Sequence, residues 1–424
     1  MTRTRMLLLE AAGPEAGALV ATAVDVGIEI YVATHADIHA SYGEDLRASV
    51  AGFLFTDFTR VDAAVRDIVE FSARVGIDGI LTVTEFLTPI VTLACAQLGL
   101  PGNDPHLAFA PRNKRVMSEQ FTKCDVAVPK TIAAACEHDL TNLLCSSEIG
   151  FPLVVKPAEN AGSTGVTIAR TADEATAAYR RALRHDRQDR YGMVLDSTTI
   201  IQEYVDGIEY SVESVTQDGE TTHICITRKI VTTTAYRAEL GHAVPADVPA
   251  DAAKRILAEA DKAIAAVGIR NGPSHTEVKL ASDGQCTVIE IGARPGAGQI
   301  GFLVELALGT RFWAACLDVA LGRPVRITRP RNDYATVRFL TIPRPGILTS
   351  LSNLPQPGPR VPIVRMRKTV GQFVNAAEDN GGRLGSVVVV GPDQESVELY
   401  ADELLAQVRI EVKPIKSSSS STKR

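Results

Sequence analysis

The stretch "SHTEVKLASDGQCTVIEIGARPG", residues 274–296, constrains this chain more tightly than any other. Asp283-Gly284 sits between two alternating runs, the pattern of a two-residue β-hairpin turn. A turn centred on that dipeptide pairs Ser282 with Gln285 and, counting outward, Glu277 with Glu290. Directly opposed carboxylates have Cβ atoms about 4.5–5.5 Å apart and repel each other. A fold keeps such a pair where a cation sits between the acids or where one of them holds a proton. Hard oxygen ligands of this kind suit Mg²⁺ or Mn²⁺ rather than zinc. The alternative is that Lys279, on the same face as Glu277, neutralises an exposed charge ladder. On the second strand, Thr287, Ile289, Ile291 and Ala293 form the apolar face, and Glu290, Gly292 and Arg294 share the polar one.

The rest of the chain is that of an ordinary globular protein. Its 424 residues, 45% hydrophobic and 22% charged, leave room for roughly two to four domains. A net charge of -6 argues against a nucleic-acid-binding surface. The seven cysteines are scattered, with no zinc-site spacing, and read as free thiols in a reducing compartment. Arg3 and Arg5 precede a short apolar run that Glu10 ends too early for a signal peptide. No stretch approaches the ~18 apolar residues of a membrane span. A cytoplasmic protein that binds neither membrane nor nucleic acid is the expectation.

Residues 1–112 alternate short apolar runs with helical patterns, which predicts a doubly wound parallel sheet. Gly13 and Gly17 resemble a phosphate-binding turn, but GxGxxG is absent and close packing explains them. Glu85, in "TVTEFLTP", follows a predicted strand at the sheet's carboxyl edge, where it could supply a substrate contact. Helices are expected over 112–124, 139–148 and 251–267, with strands in "KTIAAA", "PLVVKPA", "TIIQEYV", "EYSVESVT" and "THICITRKI". A last α+β unit covers 345–413, and the serine-rich tail 414–424 reads as disordered.

"FPLVVKPAENAGSTGV" ends a buried strand at Lys156 and runs into small residues. Gly162 and Gly165 let backbone N–H groups approach an anion, and Ser163 and Thr164 add hydroxyl donors. A nearby lysine supplies charge for phosphate oxygens. Taken alone, such a loop is also an ordinary hairpin turn. In "IIQEYVDGIEYSVE", residues 200–213, a strand edge offers a carbonyl and an N–H to an adenine ring. Glu209 offers a carboxylate to ribose hydroxyls there, or the segment is a plain strand–turn–strand with exposed acids.

Taken in order, "RNK" (112–114), "LVVKP", "ENAGSTGV", "QEYVDGIEYSVE", "HTEVKL" and "VIEIGARPG" resemble the ATP-grasp superfamily of carboxylate–amine ligases over roughly residues 112–300. The resemblance implies an N-terminal α/β domain (1–112) and an ATP-grasp small lobe with the phosphate loop (113–200). It implies a large lobe with the metal site (201–344) before the C-terminal α+β unit. By matched position, Lys114 and Lys156 fall on the lysines that contact ATP phosphates, and residues 160–165 on the flexible cover over them. Gln202, Glu203 and Val205 fall where adenine is read, and Glu209 where ribose is held. Glu277 and Glu290 match the Mg²⁺ ligands, and Arg294 matches the arginine that meets the reacting carboxylate or acyl phosphate. Gly292 departs from the family's pattern, in which many members have an asparagine ligand at that place.

"GPSHTE", "IEIGARPG" and the upstream "AELGHAVPAD" resemble the dipeptide-forming L-amino acid ligases within this superfamily. In that group a Glu-x-x-His element grips the amino-acid substrate, here Glu239 and His242. For His242 the alternative is a polar loop residue before a proline. The implied activity joins a small-molecule carboxylate to an amine through an acyl phosphate, using ATP and Mg²⁺ (or Mn²⁺). A homodimer is the default assembly. Another ATP-grasp ligase or carboxylase of purine or carboxyphosphate chemistry, and a non-catalytic nucleotide-binding regulator, stay open as alternatives.

Overall fold

The computed structural model describes residues 3–414 apart from Ser147 and Asp189; the rest of the tail expected to be disordered lies outside the described residues. Near the N-terminus the apolar run "MLLL" becomes β1 (Arg5–Leu9), whose Met6 to Leu9 are wholly buried. A strand covered on both faces needs a continuous apolar run, as parallel sheets do. β2 (Glu29–Thr34), β3 (Gly52–Phe55) and β4 (Gly79–Thr82) complete a parallel sheet in the order β3-β2-β1-β4. Helix Pro14–Asp25 follows β1, and Gly13 at its head has φ 106°.

A second, antiparallel sheet holds β5 (Thr131–Ala134), β6 (Leu153–Pro157), β7 (Thr167–Ala169) and β8 (Thr199–Glu203), ordered β5-β8-β6-β7. The largest sheet has eight strands. They are β9 (Ile208–Gln217), β10 (Glu220–Val231), β11 (Glu239–Val244), β12 (Gly272–Leu280), β13 (Cys286–Gly292), β14 (Tyr334–Leu340), β16 (Ile363–Met366) and β18 (Gly385–Gly391). Their order is β13-β12-β9-β10-β11-β14-β18-β16. The remaining strands, β15 (Gly346–Ser352), β17 (Phe373–Val374) and β19 (Arg409–Lys413), form a small separate sheet. The boundary expected after residue 344 therefore cuts through the architecture. β16 and β18 continue the large sheet because the apolar strand "SVVVV" finds its partner in β14.

Helix Ala250–Ala266 covers one face of the large sheet. Its Ala252, Ile256, Ala260, Ala263 and Ile264 recur at helical spacing. They pack against Tyr210, Val212, Val278, Val288 and Ile291. The opposite face carries Glu209, Glu213, Glu277 and Glu290, so alternation along β9 and β12 makes both the core and the site.

The predicted hairpin forms with different detail. Ala281 and Gln285 close a three-residue loop, in which Gly284 N–H donates to Ala281 O at 2.9 Å. Gly284 takes the left-handed conformation at φ 85°, as such loops require. Beside the loop the register is Leu280 with Cys286, one residue off the expected pairing. A bulge between Glu277 and Val278 then restores it, and Glu277 does pair with Glu290. The same bulge turns Val288 into the helix-covered core and leaves Ile289 facing the opposite cavity. The apolar face read from strict alternation is thus wrong at residues 287–289.

Among the described residues no single helix is long and apolar enough to cross a membrane. The two most apolar helices, Ile300–Leu308 and Phe312–Ala320, meet at 116°. Both present buried residues to the core.

Candidate active site

The polar face of the large sheet, the second sheet and the end of the N-terminal sheet enclose one cavity of about 910 Å³. Its wall carries ten lysine and arginine side chains against seven glutamates. The lining is thus net positive in a chain whose overall charge is -6, which suits a polyanionic ligand.

At the β12–β13 end the acids are all paired with cations. Lys229, in β10, donates to Glu277, lies 2.8 Å from Glu239 Oε1 and 3.6 Å from Glu209 Oε1. Burial opposes its charge, but these three carboxylates outweigh burial and raise its pKa well above the ordinary lysine value. Burial likewise opposes ionisation of Glu277, and Lys229 with His275 more than offsets it, holding the carboxyl well below its usual range. His275 bridges Glu277, 3.2 Å from Nε2, and the buried Glu213, 2.9 Å from Nδ1. Burial would lower its pKa, but Glu213 raises it to about 9, so the ring is an imidazolium donating from both nitrogens. Lys114 Nζ lies 3.0 Å from Glu290 Oε1 and donates to Asn160 O at 2.7 Å. It starts helix Lys114–Lys123, which Asn113 caps by accepting from Arg115 and Val116 N–H. Lys156 ends β6; burial lowers its pKa to about 8 despite the attraction of Glu290.

The exposed ladder offered as the alternative for Lys279 does not exist. Lys279 is buried, its Nζ donates to Val205 O at 2.8 Å, and it lies over the Tyr204 ring at 5.0 Å. Lys229 is the cation that holds Glu277.

The loop at 160–165 does not stand free. Gly162 O accepts from Asn380 N–H at 3.0 Å. The Asn380 side chain donates to Glu239 Oε2 at 2.8 Å and accepts from Glu239 N–H at 3.1 Å. Gln202 donates to Thr131 Oγ1 at 2.9 Å, and Glu209 accepts from Arg237 at 3.3 Å. Lys114, Lys156, Gly162, Ser163, Thr164, Gln202, Glu203, Val205, Glu209, Glu239, His242, Glu277, Glu290 and Arg294 all line the cavity. Gly165 does not; it faces Pro157, so a side chain there would meet the proline ring at 2.8 Å.

Glu85 reaches the site from the N-terminal sheet. Its Oε2 accepts from Arg294 Nε at 2.5 Å. A Cβ on Gly292 would stand 2.9 Å from the same oxygen. The space that a side chain at position 292 would need is filled by Glu85. Burial opposes the charge on Arg294, but Glu85 outweighs it and raises the pKa.

The β11 end is different. Glu239 is fully engaged, with Lys229 on Oε1 and Arg383 Nη2 at 2.6 Å from Oε2 beside Asn380. His242 is 1% exposed and neither ring nitrogen has a hydrogen-bond partner. Burial pushes its pKa down to about 3, opposed by Glu239 and reinforced by Lys229 and Arg383, so the imidazole is neutral. Gly298, at φ 68°, lies against it; a Cβ there would be 2.6 Å from Nε2.

Glu277 and Glu290 fit a divalent cation held by two carboxylates and completed by phosphate oxygens. They do not fit an all-protein cage, since no metal-suited cluster of three His, Cys, Asp or Glu occurs among the described residues. Sequence reasoning missed Lys229, Glu213 with His275, Asn380 and Arg383. For Lys229 a signal existed: a lysine in phase with Thr227 and Cys225 inside the strand "ICITRKIV".

Family models match in chain order. The ATP-grasp N-terminal domain matches residues 20–102, the ATP-grasp domain 149–302, and the L-amino acid ligase C-terminal domain 2 residues 338–413. The chain belongs to the ATP-grasp superfamily and has the catalytic fold of its ligases and carboxylases. Within it, the chain is related to the L-amino acid ligases. Alanine–anticapsin ligase of Bacillus subtilis (strain 168) is 29% identical over 248 residues, 55% of this chain and 52% of that protein, so the match spans about half of that relative's length. Among solved structures, L-amino acid ligase from Bacillus licheniformis superposes with a TM-score of 0.79 at 20% identity, covering 98% of this chain and all of that one. Phosphoribosylglycinamide synthetase from Anaerococcus prevotii superposes with a TM-score of 0.72 at 19% identity, covering 97% of this chain and all of that one. Both likenesses concern the fold.

Proposed function

We propose that this protein is an ATP-dependent ligase that joins the carboxylate of one amino acid or amino-acid-like substrate to the amine of another. The observation that carries this reading is the continuity of one cavity. It runs from the Glu277–Glu290 pair, through Arg294, to the neutral His242 beside Gly298. Its roughly 910 Å³ is at the upper end of the range for small-molecule sites, enough for a nucleotide and two small substrates.

Lys114, Lys156 and the 160–165 loop hold the ATP phosphates in this reading, and the strand edge at Gln202, Glu203 and Val205 receives adenine, with Glu209 at the ribose. Mg²⁺, or Mn²⁺ as another hard cation, held by Glu277 and Glu290 supplies further neutralisation of phosphate charge. Arg294 uses Nε on Glu85 and Nη1 on Pro295 O, which leaves its Nη2 face for the reacting carboxylate. A carboxylate oxygen attacks the γ-phosphorus, the bond to the β-phosphate oxygen breaks, and ADP and an acyl phosphate result. Catalysis of that step is positioning and charge stabilisation. The amine then attacks the carbonyl carbon, phosphate leaves with its bonding electron pair, and the amine proton passes to the departing phosphate. His242 is too weak a base to take that proton at pKa about 3. As a neutral imidazole it serves instead as a donor to the oxyanion of the tetrahedral intermediate. Glu239 orients Lys229 and Arg383 around it.

ADP release with Mg²⁺·ATP, measured over all pairs of common amino acids with mass spectrometry of the products, tests this. ADP that appears only with particular pairs, with a product mass equal to the two acids less water, is the expected result. ADP formed with bicarbonate and not with any pair would point to a carboxylase instead. ATP binding without turnover on either would leave a nucleotide-binding regulator.

A further inference from the structure

Beyond His242 the cavity continues to the far edge of the large sheet. Phe339 of β14, Ser386 of β18 and Arg365 of β16 pair across three adjoining strands. Cross-strand partners share a face, so Arg365 lies on the face of Phe339, whose ring packs edge-on against His242 at 5.7 Å. Arg365 lines the cavity and its guanidinium lies over the Phe302 ring at 4.5 Å. Among the described residues it makes no ion pair, and its Nη1 is shut off from solvent without a hydrogen-bond partner. Lys114, Lys229, Lys279, Arg294 and Arg383, by contrast, each have a carboxylate or carbonyl partner.

A neighbouring group is incomplete in the complementary sense. Gln299 stands next to Gly298, and its side-chain amide donates to Ser386 Oγ. Its own Oε1 has no partner, although the residue is buried. Its backbone is held at φ 69°, a strained conformation for a non-glycine residue, while its N–H is taken by Glu15 Oε1 at 3.1 Å. The free acceptor on Gln299 and the free donor on Arg365 line the same cavity, Gln299 bonding the Ser386 side chain and Arg365 being the cross-strand partner of Ser386. Arg365 as a whole is half-buried, but a guanidinium nitrogen shut off from water without an acceptor costs stability, and a fold retains it where the acceptor comes from outside.

We propose that Arg365 binds the free carboxylate of the amine-donating substrate while Gln299 accepts from its amine, so that the C-terminal unit selects an amino acid over a simple amine. This rests on the ligase reading. It assigns to residues 338–413 a part in choosing the second substrate, which neither the phosphate end nor Arg294 can play.

The test uses the full chain and the nucleophile amino acid found in the pair screen, alongside that amino acid's α-carboxamide. ADP release is followed against the concentration of each, for the native protein, Arg365→Gln and Arg365→Lys. The native protein should prefer the acid to the amide. In Arg365→Gln the KM for the acid should rise about 10- to 100-fold, the scale of one charge-assisted hydrogen-bonded pair. The KM for the amide and for ATP should stay where they were, which also shows that the variant is folded, and Arg365→Lys should recover part of the loss. An equal change for acid and amide in Arg365→Gln, or no change for either, overturns the role of Arg365. So does a native protein that uses the amide as well as the acid. Absence of ADP with every pair overturns the ligase reading and this assignment together.

Discussion

The two ends of one sheet face are built on opposite electrostatic terms. At the β12–β13 end, Glu277, Glu290, Glu213, Lys229, Lys114 and His275 answer one another in hydrogen-bonded pairs. At the β11–β16 end, His242, Gln299 and Arg365 keep buried polar atoms with no partner at all. Both ends are shielded from water, where an unmet polar group costs about 1–3 kcal/mol. The saturated end is organised in advance for a ligand that every turnover requires. In the proposed reading the unsatisfied end is completed by the right substrate, which is how a site rejects a wrong one.

Four measurements test that contrast, in descending order of effect. Glu277→Gln removes one charge of the opposed pair and should cut kcat by about 10²- to 10³-fold, the scale set by loss of a transition-state charge contact, while ATP binding survives in part. Full activity in that variant would remove the metal assignment. Lys229→Met leaves three glutamates without their common cation and should cost about 3–5 kcal/mol of stability, seen as a lower urea midpoint. Mg²⁺ should restore more stability to this variant than it adds to the native protein. If Mg²⁺ gives both the same increment, Glu277 and Glu290 do not share a cation.

Gly292→Asn restores the residue many ATP-grasp proteins carry and forces Glu85 off Arg294, at a cost of about 1–3 kcal/mol. Combining it with Glu85→Ala should recover most of that loss; additive losses would show that Glu85 is not what excludes the asparagine. The smallest effect concerns Lys156. With its pKa lowered to about 8 by burial, the free protein loses this charge as pH rises through 8. A bound phosphate favours the ammonium and raises the pKa again. ATP affinity is therefore full below pH 8 and weakens above it, by at most about tenfold per pH unit. Calorimetry in buffers of different ionisation enthalpy should show proton uptake on ATP binding at pH 8.5 and almost none at pH 6.5. Equal uptake at both values would separate Lys156 from the phosphates.

The Glu277–Glu290 pair shows how legibility works here. Its pairing was readable, yet the route to it was not. The three-residue loop shifts the register by one, and the bulge at Ile289 shifts it back. Two local departures cancel at the position that matters. The loop itself could be read from its small residues, whereas its tie to Asn380 lies 218 positions away in sequence and leaves no local pattern. Glu239 and His242 were found by spacing and resemblance, but their settings were not. Spacing does not show that Glu239 already holds Lys229, Arg383 and Asn380, or that His242 is kept neutral.

What the sequence determined alone is whatever depends on neighbours along the chain. That covers the parallel N-terminal sheet from its apolar runs, the helix faces from their period, and the acids opposed across a hairpin. Tertiary structure decided which cation answers which acid, because that depends on strand order. β9 and β10 bring Lys229 to Glu277, and β14 and β18 bring Arg365 into the cavity that holds His242. It also decided why Gly292 is glycine, since the carboxylate that fills its space comes from the segment that follows β4 of the N-terminal sheet. Packing against one face is written in hydrophobic period, which is local; charge pairing inside a cleft is set by distances between segments that the chain joins only on folding.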